Sequence, residues 1–357
     1  MCAVLLTTAA GHAGERLALE YFYDENGSSL SLQGLGFADD QHGIAAGVLE
    51  KGGRAKGAAL VTSDGGRTWS LVPLPARAAW LYVDAWAAWF GDGSRVWKSA
   101  DLGVSWRKAR GLERISRVYF INRLRGWAVG WRDTVFETSD GGGRWTAVQT
   151  GAGKDRRDNT AYTDVAFTGA YGLITGEISP ERPSSRLPEW ADPAAVRREL
   201  PATALMLQTR DGGKTWSQTK ASIFGHITRI QASRDGKALM LVEFLGRFPY
   251  PSEVYLLSPK GESVSGRVFR RADRAVTDLA LAGGAVWLAA VEPPGQMLRA
   301  PVPGKLKLLR SNDMKSWTEL DVDYRAVAQR PVCAWGAGRL WVATDTGMLL
   351  SVRQDQK

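Results

Sequence analysis

The chain has 357 residues, 46 Lys and Arg against 37 Asp and Glu, a net charge of +9 and an isoelectric point near 9.6. That excess suits an acidic partner or surface, but no block of five Lys/Arg and no nucleic-acid-binding motif occurs, so nucleic acid is not the expected partner. Three histidines and two cysteines supply neither a His/Cys metal set nor a disulfide framework, so neither metal nor cofactor is expected, and no stretch approaches the roughly 18 apolar residues that span a membrane.

Residues 1–13 form an apolar run ending Gly11-His12-Ala13, which reads as the back half of a secretory signal peptide lacking its basic start. A periplasmic or secreted location follows, and 14–357 is expected to be the mature chain, with Cys333 as a core thiol in an apolar run. Leu17 to Tyr23 is strand-like but has no obvious neighbour. Phe37 to Gly47 is a strand, a short polar loop and a Gly-rich apolar strand. That phrase returns at Tyr119–Gly130 and Val165–Gly176, and in worn form near Ile227, Val276 and Val327.

Each phrase is followed by a second one. Thr62-Ser63-Asp64-Gly65-Gly66-Arg67-Thr68-Trp69 reads Ser/Thr-x-Asp-x-Gly-x-Thr-Trp, and it recurs around Asp101 and Trp106, Asp140 and Trp145, and Asp211 and Trp216. The third copy has Arg144 in the Thr slot; a shortened copy holds Asp313 and Trp317. Asp and Ser/Thr side chains close a tight turn by accepting backbone N–H groups one or two residues on, and Gly takes the positive φ. The Trp fills apolar space beside the turn, its indole N–H needing a partner. These are structural staples between strands.

The box aspartates are 37, 39, 71 and 102 residues apart, which is one period near 40, then one repeat carrying an insert, then two repeats with a degenerate box near Leu257–Gly261. Four short strands per period predict an all-β, seven-bladed β-propeller of antiparallel blades. The inner (A) strands are expected near Leu35, Trp80, Val118, Val165, Ile227, Val276 and Val327. The last blade runs out of chain after three strands, so the strand at 17–23 is expected to complete it and close the ring.

Alternation places the Asp turns (C to D) and the A–B loops on one face, and the B–C loops and D–A connections on the other. Inserts at 49–57, 177–203, 244–252 and 292–304 all fall between B and C, with a short helix expected from Asp192 to Leu200 behind Pro193. The D–A connections carry the excess of Lys and Arg. Two spots stand out: Arg107, Lys108, Arg110, Arg114 and Arg117, and Arg267, Arg270, Arg271 and Arg274. Arg156 and Arg157 add to them. Guanidinium groups suit bidentate capture of carboxylates, though the same charges also make a solvated ring. Trp131, Trp190, Phe248 and Tyr250 share this face.

The Asp turn resembles the Asp-box, or BNR repeat, of sialidases and related propellers. The phrase from Phe120 through Gly126-Trp127-Ala128-Val129-Gly130 to the box ending at Trp145 is similar to the photosystem II stability/assembly-factor propellers, over most of residues 30–350. That resemblance implies a non-enzymatic, exported scaffold whose basic face holds a protein partner, such as a membrane or envelope protein. The alternative is a carbohydrate-active propeller, a sialidase-like glycosidase or a binder of acidic glycans. The Arg-Ile-Pro phrase of sialidases is absent: Arg114-Ile115 is followed by Ser116 and Arg229-Ile230 by Gln231. Spacing alone does not define a catalytic pair among Glu177, Glu243 and Glu292 near the channel mouth. Box-bearing xyloglucan hydrolases resemble this chain but have two propellers, and this chain has length for one.

Overall fold

The computed structural model describes residues 14–150, 158–179, 202–232, 238–244, 248–257, 264–293 and 302–354. Seven antiparallel sheets follow one another in chain order. Blade 1 is Ser28–Phe37, Gly43–Lys51, Arg54–Thr62 and Ser70–Pro73, and blade 2 is Trp80–Val83, Ala88–Gly91, Arg95–Ser99 and Arg107–Glu113. Blade 3 is Ile115–Phe120, Gly126–Gly130, Thr134–Thr138 and Thr146–Ala147; blade 4 is Thr160–Thr168, Tyr171–Ile178, Ala202–Thr209 and Ser217–Ile223. Blade 5 is His226–Ala232, Ala238–Glu243, Ser252–Leu257 and Val264–Arg270; blade 6 is Ala275–Ala282, Ala285–Val291, Gly304–Ser311 and Thr318–Glu319. In blade 7, Val332–Gly336, Arg339–Ala343 and Met348–Gln354 are completed by the N-terminal strand Glu15–Phe22.

The ring closes as expected, with Glu15–Phe22 antiparallel to Met348–Gln354. Asp321–Val322 adds a short parallel strand outside it. Two expectations shift. The inner strand of blade 7 starts at Val332, because Val327–Ala328 pairs instead with Gly304–Ser311 of blade 6. The stretch 49–57 is no loop: strands B and C of blade 1 run on to a two-residue turn at Gly52 and Gly53, both at positive φ, the geometry a tight hairpin demands. The other three inserts do lie between strands B and C. Asp192–Leu200 and Trp190 lie outside the described residues, as does most of the degenerate box, 258–263.

The Asp turns reach further along the chain than local Asx chemistry implies. Asp64 accepts the Thr68 N–H (3.0 Å) and the Thr68 hydroxyl (2.6 Å), four residues on, while the Thr62 hydroxyl accepts the Gly66 N–H at 2.9 Å. The turns of Asp101 and Asp211 repeat this pattern. These bonds favour the ionised carboxylate, and the Ser105 hydroxyl and N–H bring Asp101 down to about 2. Arg144 costs the third turn its hydroxyl bond, so Asp140 keeps only the Thr138 hydroxyl and the N–H groups of Gly143 and Arg144. Of the five box tryptophans, Trp106 and Trp317 donate to Gly103 and Val268 carbonyls, whereas the indole N–H groups of Trp69, Trp145 and Trp216 have no acceptor among the described residues.

The core lies between blades, and the Asp turns help to build it. Trp89 of blade 2 stacks on Phe120 of blade 3 at 5.4 Å, and Trp127 of blade 3 on Phe167 of blade 4 at 4.0 Å. The second box glycine rests on the preceding blade: a Cβ on Gly66 would meet Trp341 at 2.2 Å, one on Gly142 would meet Trp89 at 2.5 Å, and one on Gly213 would meet Trp127 at 2.5 Å. Gly213 also sits at φ +86°. Gly213→Ala should therefore cost roughly 2–4 kcal/mol from overpacking and backbone strain. Gly284→Ala, at φ +74° but with open space around it, should lose only the strain component. Urea unfolding of the two variants tests this, and equal losses would show that the stacking contributes nothing.

Candidate functional site

The first basic group is dispersed. Arg107, Lys108 and Arg110 are exposed along strand D of blade 2, from its Asp-turn end towards the opposite face. Arg114 occupies the turn into blade 3 at φ +55°. Arg117 lies on the inner strand of blade 3, and it lines the axial channel. Arg156 and Arg157 are outside the described residues.

The second group does come together, on strand D of blade 5 and the turn into blade 6, but its charges are taken. Arg267 and Arg270 both reach Glu253 Oε1, at 3.3 and 3.2 Å. Arg271 grips Asp273 at 2.8 and 2.9 Å. The buried Arg274 holds Glu319 bidentately at 2.9 and 3.0 Å. Arg274 and Lys307 favour the ionised form of Glu319 strongly enough to hold it below the usual carboxylate range despite partial burial. Bidentate geometry of this kind leaves little donor capacity for a ligand.

The channel holds an arrangement the loop charges did not reveal. Each inner strand of blades 3 to 6 carries a β-bulge, and the residue just after the bulged one faces the axis: Arg117, Asp164, Arg229 and Asp278. Positive and negative side chains thus alternate around the channel. Arg117 Nε lies 3.4 Å from Asp164; Arg229 lies 3.7 Å from Asp164 and 3.0 Å from Asp278.

The two aspartates also staple neighbouring blades. Asp164 accepts the Val165 N–H and, across the blade boundary, the Ile230 N–H, both at 2.9 Å. Asp278 accepts Leu279 and, across the next boundary, Cys333, also at 2.9 Å. The bulged threonines beside them bridge the same boundaries, Thr163 to Ile227 O (2.9 Å) and Thr277 to Pro331 O (2.7 Å). Burial opposes the charge on Arg229, but Asp278 and Asp164 more than offset it and raise its pKa. On Arg117, burial and the neighbouring Arg229 charge prevail, and its pKa falls. A sequence signal for this belt existed. Ile115-Ser116-Arg117-Val118, Tyr162-Thr163-Asp164-Val165, Ile227-Thr228-Arg229-Ile230 and Val276-Thr277-Asp278-Leu279 repeat a Ser/Thr followed by an alternating charge between apolar residues.

At the B–C/D–A mouth each of the three glutamates meets a basic side chain. Glu177 bonds His226 at 2.6 Å, Glu243 holds Arg330 bidentately at 2.7 and 2.8 Å, and Glu292 meets Lys307 at 3.1 Å. Phe224, about half exposed, Phe244 and Phe248 cluster there, and Arg270 lies over the Tyr250 ring at 4.0 Å. Trp131, at 59% exposure, stands apart on blade 3.

Comparison with known proteins places these features in context. The family described as "Photosynthesis system II assembly factor YCF48" matches residues 94–180. The "Photosystem II assembly lipoprotein Ycf48" of Trichormus variabilis is 26% identical over 248 residues, 63% of this chain and 69% of that one. The "Photosystem II stability/assembly factor HCF136, chloroplastic" of Arabidopsis thaliana is 23% identical over 237 residues, and this chain spans half its length. Among solved structures, "YCF48 bound to D1 peptide" matches with TM-score 0.57 at 16% identity, covering 92% of this chain and 98% of that one. "YCF48 from Cyanidioschyzon merolae" matches with TM-score 0.58 at 17% identity, over 97% and 100%. At such identities the structural likeness speaks for the fold. Repeat, fold and relatives agree: the chain is an Asp-box, seven-bladed β-propeller that resembles the photosystem II stability/assembly-factor propellers.

Proposed function

We propose that this propeller is an exported, non-enzymatic scaffold that holds an acidic segment of a membrane or envelope protein on its B–C/D–A face, at blades 1 to 3. The observation that carries this reading is where the unneutralised cations sit. Lys56, Arg77, Arg110 and Arg114 are exposed and make no ion pair with the described residues, in contrast to the paired arginines of blades 5 and 6. Lys56 and Arg77 flank a groove of about 540 Å³ floored by Leu74 and Ala76. Arg114 adjoins it through its N–H bond to Ser94 O at 3.0 Å. A groove rimmed by mobile cations suits an extended acidic peptide, bound with strong salt dependence. Two facts about similar proteins support a protein partner: the relatives are described as assembly factors, and one structural neighbour was solved with a peptide. The leader-like residues 1–13 and the relatives' description as lipoproteins support export.

The test is capture of partners from periplasmic and detergent-solubilised membrane fractions by the tagged protein, at low and high salt. A partner held at low salt, and lost when Lys56, Arg77, Arg110 and Arg114 become Glu but kept when Arg267, Arg270 and Arg271 do, is expected. Capture of no protein at either salt would defeat the reading, and binding of acidic glycans on an array would then point to the carbohydrate alternative.

A further inference from the structure

We propose that the axial channel, on its Asp-turn side, is a binding pocket for a small carboxylic acid with an apolar body, the carboxylate seated on the guanidinium groups of Arg117 and Arg229. The charged belt divides the channel into two chambers, one of about 330 Å³ towards the Asp turns and one of about 170 Å³ towards the other face. The larger is walled by the inner strands of all seven blades and is of small-ligand size.

Hydrogen-bonding capacity decides the chemistry. Asp164 and Asp278 each already accept two backbone N–H groups, one at each carboxylate oxygen. The two arginines can donate about ten hydrogen bonds between them, yet besides their ion pairs with Asp164 and Asp278 they make one, from Arg117 to Leu81 O at a long 3.4 Å. Their Nε atoms meet those carboxylates at 3.4 and 3.0 Å with poor hydrogen-bond alignment. Buried donors left in this state are costly, and the lowered pKa of Arg117 marks its charge as under-compensated. A carboxylate brings the missing acceptors and charge together.

Most polar side-chain atoms of the walls are already committed. The hydroxyls of Tyr82 and Tyr119 are committed to the Phe120 and Phe167 carbonyls of the next blade. The Gln231 carbonyl accepts the Leu281 N–H at 3.1 Å. Beside the Gln231 amide N–H groups, the chamber is faced by Leu35, Phe37, Leu281 and Trp335, with the rings of Tyr82 and Tyr119. Such a site takes an apolar body and fixes it by one charged end.

Phenylacetate and its neutral analogue phenylacetamide are the probes, titrated into the full chain by calorimetry. The acid should bind at least about tenfold more tightly than the amide, the worth of one charge-assisted contact. Ala334→Phe, which fills the chamber and leaves the arginines intact, should abolish binding of both. Arg117→Gln should reduce the acid to the level of the amide. Thermal melts establish that each variant is folded; if Arg117→Gln is not, the acid-to-amide ratio and Ala334→Phe decide alone. Equal affinity for acid and amide, no binding of either, or binding unaffected by Ala334→Phe overturns the proposal.

Discussion

Arg229→Met should lower the unfolding free energy by roughly 3–5 kcal/mol, the usual consequence of removing one partner from a buried ion pair. Arg229 sits between Asp164 and Asp278, whose side chains are almost wholly buried, and is the cation both share. Met preserves the length and apolar stem, so the loss isolates the charge. It leaves Asp278 without its channel counterion and Asp164 with Arg117 alone, at 3.4 Å, and both carboxylates staple neighbouring blades. Arg110→Met, on the exposed outer strand, serves as the control and should change stability by less than about 0.5 kcal/mol. Denaturant unfolding of the two variants measures both. A loss below about 1 kcal/mol for Arg229→Met would mean that channel water already screens the aspartates as it screens a surface pair.

Deleting residues 14–24 should lower the melting temperature by roughly 10 °C or more, since about 1 kcal/mol moves the melt of a large domain by a few degrees. The deleted strand is the fourth of blade 7 and runs antiparallel to Met348–Gln354 from Glu15 to Phe22. Leu17 is fully buried, and Tyr23 nearly so. Burying Leu17 alone is worth roughly 2 kcal/mol. Glu20 bonds Ser351 at 2.5 Å and pairs with Arg353, and Glu15 pairs with Arg310 of blade 6. Without the strand, Met348–Gln354 becomes a free edge, which invites pairing with another copy, so the truncated chain should also self-associate. Adding residues 14–24 back as a peptide should restore monomer and melt. A truncated chain that melts normally and stays monomeric would show that the ring holds without its closing strand.

Much of this molecule was open to reading because the relevant physics is local. The side-chain hydrogen bonds of Thr62 and Asp64 that shape the turn lie within residues 62–68, with Gly65 alone reaching out to Gln41 O at 2.9 Å and to Arg339, so the turn is encoded in one short phrase and its five copies announce the repeat. Ring closure was legible for a related reason: the last blade lacked a strand, and one strand-like segment lacked a blade. Even the misread hairpin at 49–57 was local, its Gly52-Gly53 pair being a turn signal that the insert reading passed over.

The charge map was different. Summing Lys and Arg over connections treats each charge as solvated and independent, but pairing depends on which strands the fold makes neighbours. Arg274 meets Glu319 45 residues away, and Arg330 meets Glu243 87 residues away. Contacts of this kind pair arginines of the second basic group with carboxylates that lie far along the chain. The belt of Arg117, Asp164, Arg229 and Asp278 has a repeating signature in sequence, yet only the bulge on each inner strand turns those side chains into one channel. Composition and repeat determined the propeller, because turns and strand alternation are short-range. The tertiary structure alone decided which charges remain free to act, because Coulomb interaction and desolvation depend on distance in space and not along the chain.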